Sequence, residues 1–507
     1  MSGPTIGITE HARLTPDKPA LVLGDRVVTF AAFDERTTRL AHALEARGVV
    51  PGDRVAIMLP NSIEFFEVWA AASKLAAPVV LVNWHLKRDE LTYILEDSGA
   101  KLLVAHADLL EFAEPAARAT GCALLIVGRG DAYEGAIGAA AAEPPMELLT
   151  LQSPIFYTSG TTGRPKGVVH GQMDPERASQ ATLGQVALWG WTADDVYILT
   201  GPAYHAGPGG WAMAALAVGA TTVILPAFAA REWFRLVDAH GVTCTFAVPS
   251  HFIRMLEVPE EERAAFDLSS LRLIVHAGAP CPVPVKYRIV EALAPCEIAE
   301  LYGMSEGGAT RISMAEWLER PGSVGLPWPG VEVKILDDLG DEVPTGTAGL
   351  IYVMPPGGAR FHYHDDDEKT SGAWRDDAFT VGDVGYLDAD GYLYLVDRRT
   401  DMVVSGGANV FPAEVEAAID QYPGVRSCAV IGLPDDDLGQ RVHAIVDLPG
   451  VDLADEAATA AEADALRAHL RARIAAYKVP RTVEFVAAPV RDDAGKVRRS
   501  ALRDARL

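Results

Sequence analysis

A chain of 507 residues is long enough for more than one domain, and its 46 glycines and 33 prolines are ordinary for a loop-rich α/β enzyme. A formal charge of −25 would repel a nucleic-acid backbone or an anionic membrane surface, so neither is expected as a partner. Cys122, Cys244, Cys281, Cys296 and Cys428 have neither CxxC nor zinc spacing, which indicates no metal framework or disulfide scaffold and points to a reducing, cytoplasmic setting.

In chain order, MSGPTIGITEHARLTPDKPAL lacks the basic head and apolar core of a signal peptide. VTFAAFDERTTRLAHALEARGV reads as the start of a strand followed by an amphipathic helix ending at Gly48. After the turn Pro51-Gly52-Asp53 come the strand RVAIMLP, the helix NSIEFFEVWAAASKLAA and the strand PVVLVN. The helix LKRDELTYILEDSGA and the strand KLLVAH continue the alternation, which implies parallel sheets with helical cover.

From Tyr157 to His170 the chain reads YTSGTTGRPKGVVH. It is not a P-loop, because Lys166 sits between Pro165 and Gly167 and the Gly-Lys-Ser/Thr step is missing. Its chemistry still suits a phosphate: glycines let the backbone approach closely, hydroxyls donate, and Lys166 supplies a point charge. An ordinary Gly/Ser/Thr surface turn is the alternative.

His205 follows in GPAYHAG; a lone histidine is usually structural or exposed. The apolar run Trp211–Ala230 is interrupted by Gly219, Thr221, Thr222 and Pro226, so a buried helix and then a buried strand fit better than a membrane span. The βα pattern recurs around TTVILP, TCTFAVPS and LRLIVHAG. After about residue 322 it gives way to short alternating runs with Asp-Asp-Leu-Gly and Thr-Gly turns, which read as hairpins. A helix is expected from near Pro412, then the strands SCAVIGLP and VHAIVDLP, and then a helix carrying Leu466, Leu470 and Ile474 as an apolar stripe. The last hundred or so residues could form a compact domain.

Five further blocks accompany the loop: AGAP from Ala277, YGMSE from Tyr302, VGD from Val381, DRRTDMVVSGGANVFPAEVE from Asp397 and GKVRR from Gly495. Together and in this order they resemble the adenylate-forming superfamily of acyl-CoA synthetases, luciferases and peptide-synthetase adenylation domains. FHYHDDDEKT from Phe361 is more similar to the acyl- and aryl-CoA ligase branch. The resemblance spans essentially the whole chain. It implies a large N-terminal region, residues 1–396, of parallel and mixed sheets with helical cover plus a β-rich subdomain. A hinge at 397–401 and a smaller, mobile α+β domain at 402–507 would follow.

The activity implied is ATP-dependent joining of a carboxylic acid, read here as an apolar fatty, aryl or cyclic monocarboxylate, to coenzyme A through an acyl-adenylate, with Mg2+ and with release of AMP and pyrophosphate. Loading onto a carrier-protein thiol and a non-catalytic nucleotide-binding protein are the alternatives, and a homodimer stays open. By resemblance, Thr158, Ser159, Gly160, Thr161, Thr162, Gly163 and Lys166 would hold the β- and γ-phosphates. Gly278, Ala279 and Pro280 would line the adenine pocket, although alone they read as a plain turn. Tyr302 and Gly303 would pack on adenine, Ser305 would donate to phosphate, and Glu306 would hold magnesium. Asp383 and Arg398 would reach the ribose. His205 would position or gate the acid, Asp401 would be the hinge residue, Gly406 and Gly407 would approach the coenzyme A tunnel, and Lys496 would be the catalytic lysine. Thr400 replaces the lysine usual in the family, and Asp492 and Asp493 near Lys496 could either orient its loop or weaken the field at phosphate. An acid pocket drawn from His205–Gly210, Thr245–Pro249 and Val275–Gly278 contains no Arg or Lys, which favours an apolar monocarboxylate.

Overall fold

The computed structural model describes residues 6–143, 153–158, 165–171, 174–337, 339–398, 401–405, 408–435, 438–492 and 495–507. It divides into two compact units. The first comprises the chain up to Phe246 with Glu260–Ile274 and Ala359–Ser371; the second comprises Ala247–Pro259, Val275–Gly358 and Gly372–Leu507.

The expected alternation builds the first unit. Val55–Met58, Val79–Leu81, Leu102–His106 and Ala123–Val127 form parallel pairs, and Ile155–Thr158 joins Val79–Leu81 in parallel. Every residue of Val55–Met58 is fully buried, because helices such as Ile63–Lys74 and Arg88–Ser98 cover the sheet; a strand buried on both faces reads as an unbroken apolar run. Ile63–Lys74 starts where expected, with Ser62 Oγ accepting from the Phe65 N–H (3.2 Å). A second sheet sets Val196–Leu199 between Thr221–Ile224 and Cys244–Ala247, all parallel. The run from Trp211 resolves as expected into part of the helix Ala206–Ala217 and the strand Thr221–Ile224. Among the described residues, no helix is long and apolar enough to cross a membrane.

The second unit holds the hairpins anticipated after residue 322. Glu297–Met304, Gly307–Ile312 and Ser323–Pro327 run antiparallel in succession, followed by Leu393–Arg398 and Asp383–Leu387. Glu332–Leu336 pairs with Gly349–Met354, and Asp337 Oδ1 closes the turn between them by accepting the N–H groups of Leu339, Gly340 and Asp341.

The C-terminal residues form a smaller α+β domain on a sheet of their own. Val403–Ser405 and Ser427–Asp435 are antiparallel to Gly439–Asp447, and Thr482–Val486 lies parallel to it. The helices Pro412–Ile419 and Glu456–Arg471 close a core containing Val403, Val415, Ile419, Val430, Val442, Leu466 and Leu470. Ile474, expected within the last of these helices, lies just past its end. Its N–H still bonds the Leu470 carbonyl (2.9 Å), which keeps it on the apolar stripe.

Candidate active site

The lysine loop closes a hairpin. Thr158 and Lys166 are direct partners in the antiparallel pair Ile155–Thr158 and Lys166–His170, so the residues between them form its connection. Ser159, Gly160, Thr161, Thr162 and Gly163 lie outside the described residues, and of Thr158 only the backbone is described. The flanks are tied down. Tyr157 donates its hydroxyl to Asp97 (2.7 Å), and burial, reinforced by that carboxylate, pushes its phenol far above the ordinary range. The Tyr93 hydroxyl lies 3.1 Å from the Pro165 carbonyl. A Cβ on Gly167 would come within 3.2 Å of the Tyr157 ring, so a residue without one lets the two strands meet.

Lys166 is paired with Asp366 at 3.0 Å, and the hydrogen bond it donates to that carboxylate raises its pKa. Asp366 comes from FHYHDDDEKT, whose first residues, Phe361–Tyr363, form a strand antiparallel to Lys166–His170. The Lys369 N–H donates to Asp366 (2.9 Å); this bond, then Lys166, holds the carboxyl below its usual range. In the sequence alone that segment only places the chain within its superfamily. Its register against the lysine strand, a long-range pairing with no local signature, is what makes Asp366 a partner of Lys166.

His205 precedes the helix Ala206–Ala217, and its ring lies 4.4 Å from that of Tyr204. The glycines after it, which in the sequence suggest room for an acid, leave less space than their size implies. A Cβ on Gly209 would overlap the Ala203 carbonyl oxygen, and one on Gly207 would lie 2.6 Å from the Phe246 ring. Both are small so that the helix can pack; only Gly210 faces open space. Trp189, Trp191 and Phe246 surround Trp211 at centroid distances of 5.1, 4.9 and 5.4 Å, giving this region an aromatic character.

In the second unit, Gly278 takes φ 85°, a left-handed conformation that favours glycine, and lies against Val248. Ala279 and Pro280 line a cavity of about 280 Å³ together with Ser250, Arg491, Asp492 and Gly495. Gly495 also has a positive φ, 74°, and approaches Val248 and Ser250. The segment carrying Lys496 is thereby brought beside the Gly278–Pro280 segment, which lies more than two hundred residues earlier in the chain. Asp492 orients this loop: its carboxylate accepts the Lys496 N–H (2.9 Å), and its own N–H donates to the Lys496 carbonyl (2.9 Å). Asp493 lies outside the described residues.

Ser305 and Glu306 form the two-residue turn of a tight hairpin, in which Met304 faces Gly307 and Gly303 faces Gly308. Trp328 packs so closely on Gly308 that a Cβ there would overlap its ring. Tyr302, on the same hairpin, donates its hydroxyl to Asp383 Oδ2 (2.8 Å), and both residues are buried. Asp383 is the direct strand partner of Arg398, of which only the backbone is described. Thr400, Gly406 and Gly407 lie outside the described residues. Glu306 is a buried hard-oxygen group, and among the described residues no three potential ligands cluster. One carboxylate fits a magnesium ion held mainly by triphosphate oxygens and water.

Residues 8–363 match the AMP-binding enzyme family, and residues 414–496 match the AMP-binding enzyme C-terminal domain. The chain belongs to the AMP-binding enzymes. Within the adenylate-forming superfamily, this AMP-binding enzyme sits in the acyl- and aryl-CoA synthetase branch and activates a carboxylic acid with ATP through an acyl-adenylate. It is 33% identical over 506 residues to a fatty acid–[acyl-carrier-protein] ligase of Streptomyces coeruleorubidus, covering 97% of this chain and 94% of the relative. It is 35% identical over 501 residues to a feruloyl-CoA synthase of an Amycolatopsis species, covering 97% of each. The structure of o-succinylbenzoate CoA synthetase from Bacillus subtilis with its acyl-adenylate superposes with a TM-score of 0.84 at 27% identity, covering 99% of each chain.

Proposed function

We propose that this enzyme ligates an apolar monocarboxylic acid, whether fatty, aryl or cyclic, to coenzyme A. The observation that carries the adenylation half is the cavity in which the Lys496 segment meets the Gly278–Pro280 segment, with the Tyr302–Asp383 pair in the same unit. In the first half-reaction an acid oxygen attacks the α-phosphorus of ATP and pyrophosphate leaves. In the second, the thiol sulfur attacks the acyl carbon, the C–O bond to phosphate breaks, and AMP leaves. The acid is already ionised near neutral pH, so His205 positions it and no general base is needed.

Lys166 and the loop before it bind the outer phosphates. Gly278–Pro280 and Tyr302 hold adenine, and Asp383 with Arg398 holds ribose. Lys496 bridges the acid and the α-phosphate, where a compact charge on a long stem can follow the charge that develops. Glu306 and the phosphates would hold magnesium, which neutralises phosphate charge. The aromatic surroundings of Trp211, and the lack of Arg or Lys in 205–210, 245–249 and 275–278, favour an uncharged acyl group.

The second reading is transfer to a carrier-protein thiol, favoured by the relative named as a fatty acid–[acyl-carrier-protein] ligase. Pyrophosphate release and thioester formation across a panel of acids, with coenzyme A or a phosphopantetheinylated carrier protein, separate the two. The expected result is that C6 to C12 fatty, aryl and cyclic acids outrank acetate, amino acids and dicarboxylates by kcat/KM with coenzyme A as acceptor. A tenfold preference for acetate or an amino acid overturns the acid assignment, and thioester formed only on the carrier overturns the coenzyme A assignment.

A further inference from the structure

Asp401 lies where the chain passes from the strand Leu393–Arg398 in one sheet to Val403–Ser405 in another. Its carboxylate accepts Nη1–H of Arg499 at 2.7 Å. Arg499 opens the last helix, Arg499–Asp504, and follows Lys496 by one turn's length of chain. The same guanidinium donates Nη2–H to both oxygens of Glu416 (2.8 and 2.9 Å) and Nε–H to the Val430 carbonyl (3.3 Å). Glu416 is buried and also accepts the Val430 N–H (2.8 Å). Arg491 joins from the other side, donating to Glu416 (3.3 Å) and to the Gly495 carbonyl (3.3 Å). Two routes therefore connect Asp401 to Lys496: the covalent chain from Arg499, and the relay through Glu416, Arg491 and Gly495.

The side chains of Arg499, Asp401 and Glu416 are only 19, 22 and 6% exposed, so this is not a solvated surface pair. A planar guanidinium fixes two carboxylates in a set angular relation, which an ammonium does not. Turning the backbone at Asp401 moves its carboxylate off Arg499 and releases one tether of the Lys496 segment from its place beside Gly278–Pro280.

We propose that Arg499 is a positioning residue: by gripping Asp401 and Glu416 together it couples the sheet-to-sheet junction to the Lys496 segment and holds Lys496 in place for adenylation. The inference rests on the role proposed above for Lys496. The test is single-turnover kinetics of each half-reaction, reading acid-dependent pyrophosphate release and, separately, consumption of preformed acyl-adenylate by coenzyme A. Arg499→Gln and Asp401→Asn are each expected to slow adenylation tenfold or more and to leave the second step within threefold of the parent. The double variant is expected to be no slower than the slower single variant, and Arg499→Lys to recover part of the loss. Equal slowing of both half-reactions, or full additivity of the two substitutions, overturns the coupling. If Arg499→Gln fails to fold because buried Glu416 loses one of its partners, Asp401→Asn, which leaves the Arg499–Glu416 pair intact, decides alone. Lys496→Ala separates the levels. If it leaves adenylation within threefold, the role of Lys496 fails and the coupling with it; if it slows adenylation while Asp401→Asn does not, only the coupling fails.

Discussion

Lys166 and Asp366 show what a single ion pair can do at the place proposed for the outer phosphates of ATP. Both side chains are about one-fifth exposed, at 19 and 21%, so the pair contributes modestly to stability, but it holds a flexible ammonium in one place. A lysine has three donors and can keep Asp366 while offering the others to phosphate. Asp366→Ala is therefore expected to raise the KM for ATP about three- to tenfold, the cost of ordering a freed side chain, with a smaller change in kcat. A fall in KM would instead mark Asp366 as a competitor of phosphate for Lys166. The buried Tyr302 hydroxyl poses a sharper case, since a hydrogen bond to a charged group is worth about 1.5–3 kcal/mol. Tyr302→Phe leaves the ring and removes the donor to Asp383. Affinity for a non-hydrolysable ATP analogue, measured by calorimetry, is expected to fall about tenfold; unchanged affinity would show that Asp383 does not need this orientation to bind nucleotide.

At the scale of elements, the hairpin carrying Ser305 and Glu306 works because its strands come close. With Gly308→Ala, Trp328 must move, and overpacking of this kind costs about 1–3 kcal/mol. The expected result is a lower Tm together with loss of adenylation, because the turn that presents Glu306 shifts with its strand. The helix Pro249–Glu257 carries a different liability. His251 is 1% exposed, its Nδ1 accepts the Val248 N–H (3.2 Å), and burial holds its pKa down to about 3. The unfolded chain takes up this proton below about pH 6.5, while the folded chain refuses it until near pH 3. The unfolded state thus binds more protons across that window, and stability falls with pH by up to about 1.4 kcal/mol per pH unit from this group. His251→Asn keeps an acceptor and cannot be protonated, so urea unfolding between pH 7 and 4 should show a shallower acid limb. A slope identical to that of the parent overturns the assignment. Because Val248 lies where a Cβ on either Gly278 or Gly495 would meet it, acid is expected to loosen the Gly278 and Gly495 segments first.

For the whole molecule, the C-terminal sheet has its own apolar core, from Val403 to Val479, which is what an independently folding piece requires. Residues 402–507 expressed alone are expected to unfold cooperatively in denaturant, and a fragment without a cooperative transition would show that this core depends on the rest of the chain. The net charge of −25 acts over the entire surface. Sedimentation with phosphatidylserine-containing vesicles at low salt is expected to leave the protein in the supernatant, and co-sedimentation would reveal a local patch strong enough to overcome the global field.

The sequence by itself determined the alternation of strands and helices, because periodicity and turn chemistry are local and Val55–Met58, Ser62 or Asp337 act within a few residues of themselves. It also determined the family, because the blocks at Tyr157, Ala277, Tyr302, Val381, Asp397 and Gly495 are stretches of contiguous residues. Only tertiary structure decided which residues serve one another. Asp366 meets Lys166, Tyr302 meets Asp383, and Arg499 meets Asp401 through strand register and packing between segments far apart in the chain. Gly207 and Gly209 show the same division: their small size is plain in the sequence. Whether it makes room for an acid or lets a helix settle on Phe246 and Ala203 depends on what the fold places opposite them, and no local pattern carries that information.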